Sequence, residues 1–261
     1  MSVDAVFVQD GDLFTATDLG LGPWARGALH GGAPAALLAH AFAESTPAPG
    51  LRPARLTYEF VRPVPRGPLA VEVAVVRPGR RVTLLDGVLR DAHGTEVTRA
   101  RALMVAPSEL GEPSAGPPPP FPGPPDGVPN DWPDTGGSRM FATDAMEIRF
   151  VEGQFREPGP STAWFRLRHP LIDGVQTTPL ERLAAAGDFG NGIASVLSWE
   201  EHVFINPDLT LHIEREPVGE WVGLQSQMRV ARGNVAMAES VLWDETGRLG
   251  QAVQSLLVGP R

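Results

Sequence analysis

Short runs rich in apolar and β-branched residues, each closed by Pro or Gly, alternate along this chain with two helical stretches. Residues 31–44 read Gly-Gly-Ala-Pro-Ala-Ala-Leu-Leu-Ala-His-Ala-Phe-Ala-Glu. Pro34 suits a first helical turn, and the Ala and Leu that follow favour a helix. A helix apolar nearly all round is a buried one, and its alanines let strands approach closely. A short strand is predicted near residues 12–18. Four more follow the helix, at 55–61, 69–76, 81–91 and 97–105, with Ala92-His93-Gly94 as a hairpin turn. The second half repeats the order. Strands near 146–150 and 163–168 precede a helix over about 179–197, and strands follow at 203–205, 209–214, 221–230, 235–243 and 249–258. Glu245-Thr246-Gly247 is again the hairpin turn. One buried helix and a long antiparallel meander, twice over, predict an α+β fold in which a helix wrapped by a curved sheet is duplicated.

The residues themselves repeat. Shifted by 153 positions, residues 56–105 lie over 209–258 without a gap. Leu56-Thr57 falls on Leu209-Thr210, Arg62 on Arg215 and Val82 on Val235. Val88-Leu89-x-Asp91-x-x-Gly94 falls on Val241-Leu242-x-Asp244-x-x-Gly247, and Leu103-x-Val105 on Leu256-x-Val258. Two copies of this length are too few for a solenoid and read as a duplicated domain. Between them, residues 113–133 hold ten prolines, a density no helix or central strand survives. The chain is therefore divided into a first domain over 1–107, an extended linker over 108–140 that straps the halves together, and a second domain over 141–261.

Composition narrows the chemistry. The net charge of −9 argues against nucleic acid as a partner. All 22 basic residues are Arg, which excludes lysine Schiff-base chemistry, and the lack of Cys excludes thiolate catalysis, disulfides and sulfur-ligated metals. The six His show no short ligand spacing, so no metal is expected. No signal peptide and no run of roughly 20 apolar residues is present, so the expectation is a cytoplasmic protein with no membrane partner. There is no Gly-x-Ser-x-Gly elbow, Walker sequence or Gly-x-Gly-x-x-Gly.

Several motifs in order resemble the acyl-CoA thioesterase II-like, double hot-dog thioesterases. They are Leu19-Gly20-Leu21-Gly22-Pro23-Trp24-Ala25, His30-Gly31-Gly32-Ala33-Pro34 and Phe60-Val61-Arg62-Pro63 in the first half. The second half supplies Gly187-Asp188-Phe189, Asn206-Pro207-Asp208-Leu209-Thr210, Gly219-Glu220-Trp221 and Gln254-Ser255-Leu256-Leu257-Val258. The resemblance covers nearly the whole chain outside the linker. It implies a double hot-dog fold, an acyl-CoA substrate, no cofactor beyond the coenzyme A of that substrate, and a homodimer. The family's catalytic Asp, hydroxyl and Gln fall on Asp188, Asn206 and Gln254. Asn206 departs from the pattern, and Thr210 is the nearest hydroxyl in its place.

At the 153-residue offset these three positions fall on Ala35, Pro53 and Arg101, so the second half is expected to carry the chemistry and the first to be its scaffold. Thioester hydrolysis needs a held water, a group to deprotonate it and donors for the oxyanion. A carboxylate beside an amide supplies the first two, and a helix N-terminus the third. By strand alternation Gln254 shares an inner face with Ala252 and Leu256. His30, Gly31 and Gly32 are expected to line the acyl-CoA channel, and Arg62, Arg80 and Arg81, with Arg66, to meet the phosphates of coenzyme A. The expected function is hydrolysis of a fatty or related acyl-CoA by water attack without a covalent intermediate. Two alternatives are a non-catalytic acyl-CoA or lipid-binding module, which Asn206 keeps open, and a hot-dog hydratase, for which Asp86 or Asp91 before His93 is a poor fit.

Overall fold

A computed structural model describes residues 4–46, 49–108, 121–132, 138–233 and 235–261. The first half begins with a hairpin, β1 (Phe7–Asp10) and β2 (Leu13–Ala16), where one strand over 12–18 was expected. Helix α1 (Gly32–Glu44) follows, then β3 (Arg52–Glu59), β4 (Pro68–Arg77), β5 (Val82–Arg90) and β6 (Glu96–Val105). The second half holds β8 (Met146–Glu152), β9 (Ser161–Leu167), helices α2 (Pro179–Gly187) and α3 (Gly190–Ile193), and β10 (His202–Ile205). It ends with β11 (Asp208–Ile213), β12 (Val222–Val230), β13 (Val235–Asp244) and β14 (Gly247–Pro260). A two-residue strand, β7 (Val128–Pro129), pairs with β8.

The strands join in one antiparallel sheet of order β1-β2-β4-β5-β6-β3-β11-β14-β13-β12-β9-β8-β7, with β10 also on β14. The order of one half mirrors that of the other about the β3–β11 seam. Thr57 pairs with Thr210 at that seam, their hydroxyl oxygens 3.4 Å apart, so residues 153 positions apart face each other on the molecule's pseudo-two-fold axis. The helices obey the same relation. Gly32 lies where a Cβ would fall 2.4 Å from the carbonyl oxygen of Ala185, again 153 residues on. The sheet wraps both helices, and Ala33, Ala35, Ala36, Leu37, Leu38 and Ala39 of the first and Leu183, Ala184, Ala185 and Ala186 of the second are fully buried. This is the double hot-dog architecture.

Two features depart from expectation. The second helix is not continuous over 179–197. Thr178 and Glu181 form a capping box at its start, but it ends at Gly187 with Asp188 as its cap before α3 resumes at Gly190. The ungapped repeat also slips by one residue in the last strand. Val82 pairs with Val105, yet Val235 pairs with Leu257, not with Val258. A one-residue slip exchanges the faces of a strand. The structural counterpart of Gln254 is therefore Ala102, which is buried, and not Arg101, which points outward to a bidentate pair with Asp86.

Of the expected linker over 108–140, residues 109–120 and 133–137 lie outside the described residues. The part that is described touches both halves: Phe121 stacks on Trp243 at 4.3 Å, the Trp164 indole donates to the Pro122 carbonyl at 2.8 Å, and Arg139 donates to the Asp4 carboxylate of the first half at 3.2 Å. The two sheet edges are short. β1 is covered by residues 170–173, with Val6 and Phe7 donating to the Pro170 and Leu171 carbonyls, and β7 has two residues. β2 covers only Pro68–Ala70 of β4, however, so the edge of β4 from Val71 to Arg77 has no strand partner on that side among the described residues and stays open to pairing. No described helix is long and apolar enough to cross a membrane.

Candidate functional site

The break between α2 and α3 places Asp188 at the centre of a buried polar cluster. The sheet approaches too closely there for side chains: a Cβ at Gly187 would meet the Leu211 side chain at 2.7 Å, and one at Gly190 would meet the Ser240 hydroxyl at 2.6 Å. Asp188 is 5% exposed, yet its carboxylate is well provided with donors. Its Oδ1 accepts from the Asn206 amide at 2.7 Å and from the Gln254 amide at 3.3 Å. Gln254 Nε2 also donates to the Asp188 carbonyl at 3.2 Å. The three residues thus meet in direct contact, from a helix cap, a loop and the final strand.

Asn206 reaches the cluster because Asn206-Pro207 interrupts the strand between β10 and β11. β10 pairs with β14 up to Leu257, and β11 resumes the pairing at Val253. Across the gap, the Asp208 carboxylate accepts the Ser255 backbone N–H at 2.6 Å. The same break disposes of Thr210, which lies beyond it on the outer face against Thr57 and does not join the cluster. Alternation carries a side chain to a common face only along an unbroken strand.

His30 is drawn in more closely than a channel lining. Its backbone N–H is held by the Gly20 carbonyl at 2.9 Å, and a Cβ at Gly22 would fall 2.8 Å from His30 N, which explains that glycine of the first motif. The imidazole packs against Phe141 and Phe189, at centroid distances of 5.1 and 4.4 Å, and these two rings also touch each other at 6.1 Å. Its Nδ1 accepts the Gly32 backbone N–H at 3.1 Å and sits 3.2 Å from Asp188 Oδ2. A Cβ at Gly31 would strike that same oxygen at 2.6 Å, so the Gly-Gly pair lets the start of α1 close on the carboxyl group.

Burial raises the Asp188 carboxyl to about 7, against the opposing pull of Asn206, the Gly32 N–H and Gln254. Burial lowers the His30 imidazole to about 3. Removal from water disfavours charge on both groups. A single proton shared between Oδ2 and Nδ1 meets the geometry. With Nδ1 accepting, Nε2 carries the other ring proton and is the nitrogen left to face a ligand.

Asn191 was not anticipated. Its backbone N–H donates to Gln254 Oε1 at 3.0 Å, which turns the Gln254 amide nitrogen toward Asp188. Its side-chain nitrogen donates to the Phe204 carbonyl at 3.1 Å and to Asn206 Oδ1 at 3.4 Å. The available signal was its position three residues after Asp188, one helical turn along Gly-Asp-Phe-Gly-Asn-Gly.

Two cavities meet at this cluster, and Trp24, His30, Asp188 and Asn191 border both. One, of about 270 Å³, runs past Gly31 to a rim at Val61, Arg62 and Leu257. The other, of about 210 Å³, runs along α3 among Trp24, Trp132, Phe155 and Trp199. Arg62 donates to the Glu96 carbonyl at 3.0 Å and forms no ion pair among the described residues. Its repeat partner Arg215 is locked on Asp244 by bonds of 2.6 and 2.5 Å. Arg80 and Arg81 are exposed in the turn between β4 and β5 and border neither cavity, and Arg66 pairs with Asp18. Among the described residues, no group of three or more His, Asp or Glu could hold a metal ion.

The acyl-CoA thioesterase N-terminal domain family matches residues 21–105, and the acyl-CoA thioesterase C-terminal domain family matches residues 113–258. No curated protein sequence matches the chain. Among solved structures, a candidate thioesterase II from Thermobifida fusca YX superposes with a TM-score of 0.75 at 22% identity, covering 98% of this chain and 96% of that one. A conserved hot-dog protein from Alicyclobacillus acidocaldarius gives 0.75 at 18% identity over 99% and 97%. An acyl-CoA thioesterase II, TesB2, from Mycobacterium marinum gives 0.64 at 16% over 100% and 94%. At such identities the superpositions establish the fold alone.

Proposed function

Because the chain belongs to the acyl-CoA thioesterase family, we propose that it hydrolyses a fatty or related acyl-CoA to the free acid and coenzyme A. One observation carries the reading: a buried carboxyl group, raised to about 7 and held by two side-chain amides, stands where two cavities meet. A general base works best with a pKa near the operating pH. Ionised Asp188 takes a proton from a water whose oxygen attacks the thioester carbon. The charge that develops on the carbonyl oxygen is met by His30 Nε2–H; the N–H groups of Gly32, Ala33 and Ala35 are already taken by His30 Nδ1 and by the His30 and Gly31 carbonyls. Collapse breaks the carbon–sulfur bond, and the departing thiolate recovers the proton from Asp188.

Asn206 and Gln254 hold the carboxylate by Oδ1, and Oδ2, 3.2 Å from His30 Nδ1, takes the proton of the water; that proton then lies between the two. Asn191 fixes both amides. The amide of Asn206 donates where the family's hydroxyl would. Arg62, without a carboxylate partner, is placed to meet a phosphate of coenzyme A at the open rim; Arg80 and Arg81 take no part. The reading is of a cytoplasmic enzyme acting as a homodimer, and light scattering at micromolar concentration tests the second part, a strict monomer removing it.

Release of free thiol from a panel of acyl-CoAs tests the chemistry. Asp188→Asn should lower turnover at least about 10²-fold. Parental turnover in that variant would overturn the assignment of the base. A parent that binds acyl-CoA and hydrolyses none of the panel is the binding module instead.

A further inference from the structure

The cavity beside α3 is walled by an unbroken chain of aromatic rings. Trp24 stacks on Trp199 at 5.1 Å, Trp199 meets Phe155 at 5.3 Å, and Phe155 meets Trp132 at 4.7 Å. Both guanidinium groups at its rim are engaged, and the third charged group there is the exposed Glu200. The Arg156 guanidinium lies over the Phe155 ring at 5.7 Å, and Arg261 donates to the Trp199 carbonyl at 2.6 Å. The cavity on the other side of Asp188 opens instead between exposed residues, Val61, Arg62 and Leu257. A ligand split at Asp188 would send its large charged part through the open rim and its apolar part among the rings.

We propose that the acyl group this site takes is compact and aromatic, a single ring carried on one or two carbons, and not a long fatty chain. The hydrolytic part of this inference rests on the thioesterase reading; the binding part does not. Size is the first argument. A dry cavity of about 150 Å³ accepts benzene, so about 210 Å³ takes a ring with its short tether. Scaled from that benzene, the cavity takes roughly eight carbons, and a palmitoyl chain has about twice that. Shape is the second argument. Tilted and stacked rings offer offset-stacked and edge-to-face positions to another flat ring, whereas a flexible chain loses rotamer freedom without gaining those contacts.

The test measures kcat/KM on benzoyl-, phenylacetyl-, hexanoyl-, dodecanoyl- and palmitoyl-CoA by thiol release. In parallel, the non-hydrolysable thioether analogues of phenylacetyl- and palmitoyl-CoA are titrated against intrinsic fluorescence, because Trp24, Trp132 and Trp199 border the cavity. Phenylacetyl-CoA should exceed dodecanoyl-CoA in kcat/KM by about tenfold or more, and Phe155→Ala should narrow that ratio severalfold. Equal or higher kcat/KM on dodecanoyl- or palmitoyl-CoA overturns the proposal, as does tighter binding of the palmitoyl analogue. If no thioester is cleaved but the phenylacetyl analogue binds about tenfold more tightly, the acyl class stands and the hydrolytic reading falls. If neither analogue binds, the acyl class falls as well.

Discussion

Burial raises the Asp188 carboxyl to about 7, and this links stability to pH in a definite direction. The folded protein holds a proton on Asp188 that the unfolded chain, near the ordinary 3.8, releases. The contribution is fully present below about 4 and is lost as pH rises through about 7, the range in which the carboxylate gains its use as a base. An amide at this position suits every neighbour: its oxygen accepts from Asn206 and Gln254, and its nitrogen donates to His30 Nδ1. Asp188→Asn is therefore expected to melt higher than the parent at pH 8, by up to roughly 4 kcal/mol, with the gap closing toward pH 4. Calorimetry across that range checks it, and an unchanged gap would mean the carboxyl is not perturbed. His30 acts in the opposite sense. Its lowered pKa stabilises the fold above about 6.5 and is lost as pH falls toward about 3. His30→Phe keeps the stack on Phe141 and Phe189 and removes the donor. It should lower kcat about 10²- to 10³-fold with little change in KM; a change in KM alone would make His30 a binding residue. Asp188 and Gln254 were legible through the resemblance to the thioesterase family, and their setting among small and apolar neighbours agreed with it. Asn191 was not, because its value lies in whose amide it turns.

At the scale of elements, closeness governs what the helices can be. α1 crosses α2 at Gly32 with no room for a methyl group, since the obstacle is the Ala185 carbonyl. Gly32→Ala should cost about 1–3 kcal/mol of stability or more, read as a lower urea midpoint at unchanged slope. Gly192 has only Trp199, at 3.8 Å, beside its Cβ position. Gly192→Ala should be neutral or stabilising by up to about 1 kcal/mol. Equal gains in both would mean that helix propensity, not crossing distance, governs these glycines. Strand periodicity found most of the sheet, because alternation follows from one buried face. It placed the break at Asn206-Pro207, between strands at 203–205 and 209–214, but not the outward face of Thr210, which is set by the pairing of β11 with β14 and β3.

For the whole molecule, the seam between β3 and β11 and the crossing of α1 on α2 make the halves one cooperative unit. The two share a sheet and a core, and the candidate site takes His30 from the first half and Asp188 from the second. A single thermal transition with equal calorimetric and van't Hoff enthalpies is expected. Two resolved transitions would show halves that fold independently.

The repeat, the buried helices and the hairpin turns were set by the sequence, because each rests on local periodicity or on residues with narrow backbone preferences. The pairing of His30 with Asp188, the turning of Gln254 by Asn191 and the meeting of two cavities at one carboxyl group were decided by the tertiary structure alone. So was the one-residue slip of β14, which gives Gln254 the buried Ala102 as its counterpart. These depend on distances between chain segments far apart in sequence, and a register shift of one residue reverses a strand's faces without altering its apolar composition.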